Sequence, residues 1–259
     1  MSFFTSRINK RLLTGTAGIL VVLVLWGLLA RRYHPLILPS PAETFQALKG
    51  LWNSGRLWQS TLITLKRTAA GYSLAVLTGL FFAVLLRSNR FCRYLFRPLF
   101  TIIQTIPPVI WLVFAVIWFG IADDLTPVFL IFIVTFPVIF VNIFTGLDSI
   151  DLRLVEMARV YRSPGKRIIF KIYLPALIPH LVSAVSIGAS FAWKSTIFAE
   201  FIGSSRGVGF DLSMANSNLE TEKLFAWALV LIILMLAFEY GILQPVKRYV
   251  TRWNYDEEK

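Results

Sequence analysis

The sequence predicts an all-α polytopic membrane protein with six transmembrane helices and a cytoplasmic helix–turn–helix between the fourth and the fifth. Three observations lead to this fold class. The 259 residues are 56% hydrophobic and only 15% charged, whereas soluble domains contain about 25% charged residues. Long apolar segments recur along the chain. The Lys and Arg residues cluster between these segments, which is typical of membrane topology and not of a nucleic-acid interface, despite the net charge of +12.

Six segments are long and apolar enough to cross the hydrocarbon core of a bilayer, which takes about 20 residues of helix. The predicted spans, all within a single transmembrane domain over 1–259, are 12–30, 69–86, 98–120, 125–147, 176–201 and 224–246. The first span follows basic residues, as in a signal peptide, but it is long, and Arg31 and Arg32 follow it without a small-residue cleavage site. We therefore interpret it as a retained anchor.

The distribution of Lys and Arg orients these spans. With the N-terminus inside, 17 of the 26 basic residues fall in cytoplasmic segments. The positive-inside rule then places both termini and the segment 150–175 in the cytoplasm.

The outer segment between the first two spans contains a signal for the start of a helix. In "LPSPAETF", Ser40 is suited to the N-cap, Pro41 to the first helical position and Glu43 to the third, which together form a capping box. Apolar residues then recur at helical spacing. We expect an amphipathic helix over about 41–53 at the outer membrane face.

The segment 150–175 is unusually basic for this chain and is interrupted by Pro164 and Gly165. In its first half Asp151 is suited to cap a helix, and Leu154, Ala158 and Tyr161 share one face. The second half, "KRIIFKIYLP", repeats the apolar spacing, and its closing Leu-Pro pair is expected to mark the return to the membrane. The pattern predicts two short helices outside the bilayer, apolar on one side and basic on the other.

Two interpretations of this segment remain open from the residues alone. It is either a basic loop that only fixes topology, or a surface that a cytoplasmic partner contacts. A topogenic loop needs neither a second helix break nor an apolar stripe, and an exposed apolar stripe with a polar rim is typical of a partner surface.

The spacing of Glu156 and Ala158 before "IYLP" at 172–175 resembles the EAA loop of binding-protein-dependent ABC importer permeases. That pattern reads EAA, three residues, Gly, nine residues, Ile-x-Leu-Pro. Here Met157 occupies the second position and Arg162 the glycine position. The chain also carries "SPG" at 163–165, which is a candidate for supplying the turn slightly later.

Other segments are similar to the nitrate, sulfonate and taurine type of these permeases. They are "LPSP" at 38–41, "TLKRTAAGY" at 64–72, "QTIPPVIWLVFAVIWFGIADD" at 104–124 and "FAEFIGSSRGVGFDLSMA" at 198–215. The resemblance implies a permease subunit in a bacterial cytoplasmic (inner) membrane. It would pass a small polar or anionic solute, of the sulfonate, taurine, nitrate or vitamin-precursor class, into the cytoplasm.

The resemblance also implies the partners and the coupling residues. The partners would be two ATP-binding cassette subunits, an extracytoplasmic substrate-binding protein and a second copy of this chain. ATP and Mg would be bound by the cassette subunit, and the sequence contains no G-x-x-x-x-G-K-[ST] motif. The residues expected to couple to the ATPase are Glu156, Met157, Ala158, Tyr161, Arg162, Ser163 and Gly165.

Ionisable residues and prolines within spans are candidates for the transport pathway or its gate. Lys194 is expected to attract an anionic substrate, to extend towards the interface or to pair with Glu200, and Glu200 to serve gating or packing. The full candidate set is Gln104, Pro107, Pro108, Trp111, Lys194 and Glu200. The alternative for the prolines and Trp111 is helix shaping and dimer packing.

Rival function classes find less support in the sequence. An ion-coupled secondary transporter of a small solute is the alternative, although internal repeats and midplane acids are not evident. A passive channel would leave the segment 150–175 unexplained. No hydrolase or metalloprotease motif occurs, and one Cys with two His makes a metal site improbable. We expect no catalytic residue and no metal ligand.

Overall fold

The computed structural model describes residues 17–18, 20–121 and 124–251, and all regular structure in this part of the chain is helical. The first helices are α1 (Leu20–Ala30), α2 (Pro41–Asn53), α3 (Arg56–Ser88), α4 (Arg90–Thr105), α5 (Pro108–Phe119) and α6 (Leu125–Asp148). The later ones are α7 (Leu152–Val160), α8 (Gly165–Ile168), α9 (Leu174–Gly203), α10 (Val208–Ser217), α11 (Thr221–Phe238) and α12 (Gln244–Thr251). π-helical turns join α8 to α9 and α11 to α12.

The chain divides into two compact units. The first comprises Met1–Gln59 and Asp211–Leu231, and the second comprises Ser60–Phe210 and Ile232–Lys259. In the first unit the Trp26 indole donates to the Pro39 carbonyl and lies against the Phe225 ring. The capping box predicted at Ser40 is present, because the Ser40 hydroxyl accepts from the Glu43 N–H while the Glu43 carboxylate accepts from the Ser40 N–H.

The second unit is built around α6, whose apolar residues are more buried than those of the other three candidate spans. Small residues allow its neighbours to approach closely. A Cβ on Gly79 of α3 would lie 2.9 Å from Ile139, and one on Gly188 of α9 would lie 2.7 Å from the same side chain. Helices in membranes pack most tightly where small residues line the contact. These glycines therefore set the distances from α6 to α3 and to α9.

Within the described part of the chain, four helical segments are long and apolar enough to cross a membrane, or five if α4 and α5 count as one broken span. The predicted third span, 98–120, falls on α4 and α5, which meet at 97° where Pro107 and Pro108 interrupt the helix. Ile106 and Pro107 are extended at this break, because a residue before proline avoids the helical region and neither proline offers an N–H. Of the first predicted span, 12–30, residues 12–16 and 19 lie outside the described part.

The Leu-Pro pair at 174–175, which is expected to mark the return to the membrane, lies within a continuous helical run. Residues Gly165–Gly203 form one helical run through a π turn at Ile169–Tyr173. The Leu174 N–H bonds to the Ile169 carbonyl, and Pro175 follows directly. The same arrangement occurs at Glu239–Leu243, before Pro245. A π turn shifts the hydrogen-bond register, so each helix accommodates a proline that has no N–H to donate.

Candidate functional site

The segment between α6 and α9 presents an exposed helical surface. Its first helix, α7, begins where the Asp151 carboxylate accepts from the Arg153 N–H, as predicted. Val155 and Ile168 are buried, so they anchor α7 and α8 to the second unit. Leu154 and Tyr161 are exposed, with Tyr161 at 78%. The apolar stripe predicted along α7 is therefore an outer surface, held in place by a few inward-facing residues.

The turn after α7 depends on Arg162. Its φ of 51° lies in the left-handed region, which costs most residues other than glycine about 1 kcal/mol or more. The Ser163 N–H bonds to the Ala158 carbonyl at 3.0 Å, and the Arg162 N–H bonds to the Arg159 carbonyl at 2.9 Å. These two bonds define a Schellman motif, which usually has glycine at this position. Arg162 thus adopts the conformation of the glycine that it replaces.

The chain turns at Arg162, slightly before the candidate turn "SPG" at 163–165. Pro164 and Gly165 do not reverse the chain but start α8, where Pro164 is the N-cap residue. Glu156, Met157 and Gly165 are exposed, while Ala158 and Ser163 are half-buried at the edge of a small cavity. The cavity has a volume of about 220 Å³ and is lined by Ala158, Ser163, Arg167, Ile168, Lys171 and Ile172. The predicted residues therefore form one accessible surface around a cationic recess.

A second cluster lies deep in the second unit, around the guanidinium of Arg67. This side chain is only 2% exposed and pairs with Glu200, which is 0% exposed, at 3.1 Å. Its Nη1 also donates to the Ser204 hydroxyl at 2.9 Å and to the Arg206 carbonyl at 2.6 Å. Nε donates to Asp124 at 2.7 Å, and Nη2 forms a further ion pair with the same carboxylate. Arg67 thereby joins α3 to α9, to the start of α6 and to the loop after α9.

The Glu200 carboxylate is enclosed from the opposite side. It accepts from the Thr64 hydroxyl at 2.7 Å and from the Gly209 N–H at 3.0 Å. Gly207 has a φ of 106°, and a Cβ there would collide with the Glu200 carboxylate. The loop can pass this close only because glycine stands at that point. Every oxygen of the buried acid is satisfied, and its charge is balanced by Arg67.

The pairing of Arg67 with Glu200 was not predicted from the sequence, and one of the three alternatives for Lys194 does not hold. The pairing of Lys194 with Glu200 is wrong, since Glu200 faces Arg67 while Lys194 is exposed and forms no ion pair with any described residue. Six residues along a helix turn a side chain by about 240°, so the two cannot share a face. The signal that finds the true pair is physical. A buried anion inside a span requires a cation, and Arg67 also lies within an apolar helix.

The other candidates for the pathway gather at the break between α4 and α5. Gln104, Pro107 and Pro108 are exposed, and the Trp111 indole donates to the Ile103 carbonyl across the break at 3.3 Å. No hydrogen bond or ion pair joins Gln104 to Lys194 within the described part of the chain. Among the described residues there is also no group of three or more His, Cys, Asp and Glu that could hold a metal ion.

Comparison with known sequences identifies the family. Residues 75–245 match the profile of the family described as "Binding-protein-dependent transport system inner membrane component". The chain belongs to this family. It is a multi-pass membrane permease of the ABC importer class, and the family is a membrane component without catalytic activity of its own. The ion-coupled alternative is not favoured.

Individual relatives resemble this permease over most of its length. The taurine transport system permease protein TauC of Escherichia coli is 24% identical over 254 residues, covering 95% of this chain and 92% of that protein. A Bacillus subtilis relative named as an aliphatic sulfonates transport permease, SsuC, is 27% identical over 222 residues, covering 86% and 80%. These names confirm the predicted nitrate, sulfonate and taurine type.

A solved structure shares the fold of this permease. The MetNI methionine ABC transporter in an inward-facing conformation aligns with a TM-score of 0.62 and 20% identity. The alignment covers 73% of this permease and 93% of that chain.

Proposed function

We propose that the permease passes a small polar or anionic solute of the sulfonate or taurine class across a bacterial inner membrane, driven by ATP hydrolysis on two separate subunits. The observation that supports this most is the exposed surface of α7 and α8, which carries apolar residues and cations on helical structure. The substrate class comes from the names of the two relatives. An extracytoplasmic binding protein delivers the solute, and a second copy of the chain completes the pathway.

The proposed topology places both termini in the cytoplasm. The six spans are then α1, α3, the broken pair α4–α5, α6, the long helix ending at Gly203, and α11 with α12. In this arrangement the segment from α7 to the first turn of α8 faces the cytoplasm, and α2 lies on the outer side. The basic residues that favour this orientation are those of the positive-inside count.

In the proposed coupling step a cassette subunit binds to the exposed surface of α7. Glu156 and Met157 meet the subunit directly, together with Tyr161. Ala158, Ser163 and Gly165 shape the recess. Arg162 forms the turn that sets the orientation of α7 relative to α8. ATP and Mg bind to the cassette and not to this chain. Closure of the cassettes shifts the permease only through contacts that differ between its states, and the continuous helix from Gly165 to Gly203 carries that shift into the membrane.

We propose that the buried pair of Arg67 and Glu200 is a fixed joint of the outer gate. It holds α3 and α9 together while the helices move as units. Asp124, which is 74% exposed, shares Arg67 with Glu200 and is the member that substrate or solvent reaches. Gln104, Pro107, Pro108 and Trp111 line or gate the pathway at the 97° break, and Lys194 attracts an anionic group of the solute.

The coupling proposal is tested by breaking α7 with Ala158→Pro. Proline in a helix interior costs about 3 kcal/mol, so the variant should lose the cassette subunit on co-purification and lose substrate-stimulated ATPase activity. Ala47→Pro, an equivalent break in α2, is the matched control and should retain the cassette subunit. Normal stimulated ATPase activity in Ala158→Pro would refute the coupling role.

The substrate and pathway proposals need separate measurements. Titration of the partner binding protein with taurine, an alkanesulfonate, nitrate and a pyrimidine vitamin precursor should show tight binding of a sulfonate, and tight binding of another class alone would refute the substrate proposal.

Cysteines at Gln104 and Trp111 should react with a water-soluble thiol reagent in at least one transport state. If they resist the reagent in every state, the residues do not line the pathway.

A further inference from the structure

We propose that α4 carries a binding site for the headgroup of an anionic phospholipid, formed by Arg90 and Arg97. The helix has 16 residues and a length of about 24 Å, too short to cross the roughly 30 Å core of a bilayer. It is bent by 97° from α5. The proposal requires only that the chain is embedded in a membrane, which its family shows, and not the substrate or the coupling role proposed above.

The side chains of α4 fall into three sectors around the helix axis. At about 100° per residue, Cys92, Phe96 and Phe100 share one face, and they pack into the apolar core of the second unit. An adjoining arc of about 80° holds Phe91, Leu95, Leu99 and Ile102, and between 47% and 74% of each is exposed. A third sector holds Arg90 and Arg97, only about 20° apart.

The exposed apolar arc is suited to lipid. Its side chains are large and continuous along the helix, and Phe91 is 74% exposed. Tyr94, beside the arginines, is 81% exposed, and aromatic residues of this kind concentrate at the level of lipid headgroups. An apolar face next to arginines is typical of helical segments at the membrane interface, which is where the broken span α4–α5 would enter the bilayer. The acyl chains would cover the apolar arc.

The arginines are available for an anion because no residue that the structure describes supplies one. Arg93, between them in sequence, is already used: it donates to Asp148 at 2.7 Å and lies 5.0 Å from the centre of the Phe144 ring. Asp148 also pairs with Arg87 at 3.6 Å. The Arg90 and Arg97 side chains are exposed and form no hydrogen bond or ion pair in the part of the chain that the structure describes. Guanidinium groups bind phosphate oxygens in bidentate geometry.

The test measures lipid binding to the purified importer complex in detergent, by native mass spectrometry with added dioleoylphosphatidylglycerol or dioleoylphosphatidylcholine. We expect phosphatidylglycerol to bind more tightly. Each arginine near an anionic headgroup contributes about a fivefold gain in affinity, so Arg90→Gln with Arg97→Gln should weaken binding by about 25-fold. The double variant Arg90→Lys with Arg97→Lys should keep most of the affinity, since the charge remains.

A matched control removes the same charge elsewhere. Arg31 and Arg32 are also exposed, and replacing both by Gln should change phosphatidylglycerol affinity less than twofold. If the Arg90 and Arg97 double variant does not yield folded complex, each single Gln variant should show the fivefold loss. The proposal is overturned if the two lipids bind equally, or if the Gln double variants at Arg90 and Arg97 and at Arg31 and Arg32 lose the same affinity. Displacement of the lipid by free inorganic phosphate would also overturn it. Unchanged lipid affinity with loss of a protein subunit would assign the arginines to a protein interface instead.

Discussion

Replacing Arg67 by Met is the substitution expected to disturb the second unit most. Both Arg67 and Glu200 are almost fully buried, at 2% and 0% side-chain exposure. Met retains much of the volume of the arginine stem but leaves the Glu200 carboxylate without a cation. The Thr64 hydroxyl and the Gly209 N–H still donate to it, but neither carries a charge.

The expected cost follows from the burial of this pair. Breaking a buried ion pair by removing one partner destabilises a protein by about 3–5 kcal/mol. Because the Glu200 side chain is fully buried, solvent does not screen its charge, and the full cost is expected. For a chain of 259 residues this corresponds to a fall of roughly 6–20 °C in melting temperature. Glu200→Gln should cost less, since the amide oxygen still accepts from Thr64 and Gly209 while Arg67 keeps its contacts with Asp124.

The assay is thermal unfolding of the detergent-solubilised permease, followed by the fluorescence of its tryptophans, for both single variants and for the double variant. Because the two residues are in contact, the double variant should lose less stability than the sum of the single losses. Additive losses, or an Arg67→Met variant as stable as wild type, would refute the assignment of the pair as a buried joint. Lys194→Met, at an exposed position, is the control and should change the melting temperature little.

Substitutions at three other positions have defined outcomes. Arg162→Gly should raise the melting temperature by relieving the left-handed conformation, a gain of about 1 kcal/mol, whereas Arg162→Val should lower it. Gly188→Leu should destabilise by about 1–3 kcal/mol or more, because its side chain would meet Ile139, and unfolding should show it. Backbone and side-chain hydrogen bonds from Ser40 hold the pKa of Glu43 below its ordinary value of 4.5. The stabilising effect of Glu43 is therefore present above that pH and lost as the pH falls below it, so the melting temperatures of wild type and Glu43→Gln should converge in acid.

Local signals in the sequence located the helices that begin with a cap. Ser40 with Glu43, and Asp151, act within four residues, so their hydrogen bonds can be anticipated from spacing alone. The helix breaks were harder to predict from the sequence. Pro107 and Pro108 indicate an interruption, but the 97° angle depends on how α5 packs against α6. The π turns before Pro175 and Pro245 show the opposite outcome, where a proline is absorbed without ending the helix.

The charge network was missed because its members are far apart in the sequence. Arg67 is separated from Asp124 by 57 residues and from Glu200 by 133. In the sequence Arg67 looks like a boundary of the second span, and Lys194 looks like the nearest cation to Glu200. Only the close packing of α3 and α9 against α6 decides between these partners. Arg162 shows the complementary case. Its residue type made "SPG" at 163–165 the candidate for the turn, whereas the chain turns at Arg162, the glycine position of the family pattern.

Site-specific cross-linking tests the central claim, that α7 is the surface on which an ATP-binding subunit acts. Met157 is 52% exposed, and a cysteine there, with Cys92 replaced by Ala, should form an adduct with the cassette subunit in the assembled importer. Ile37→Cys, 67% exposed and proposed to lie on the outer side, should form none. An importer that transports normally but gives no adduct from Met157→Cys would contradict the account.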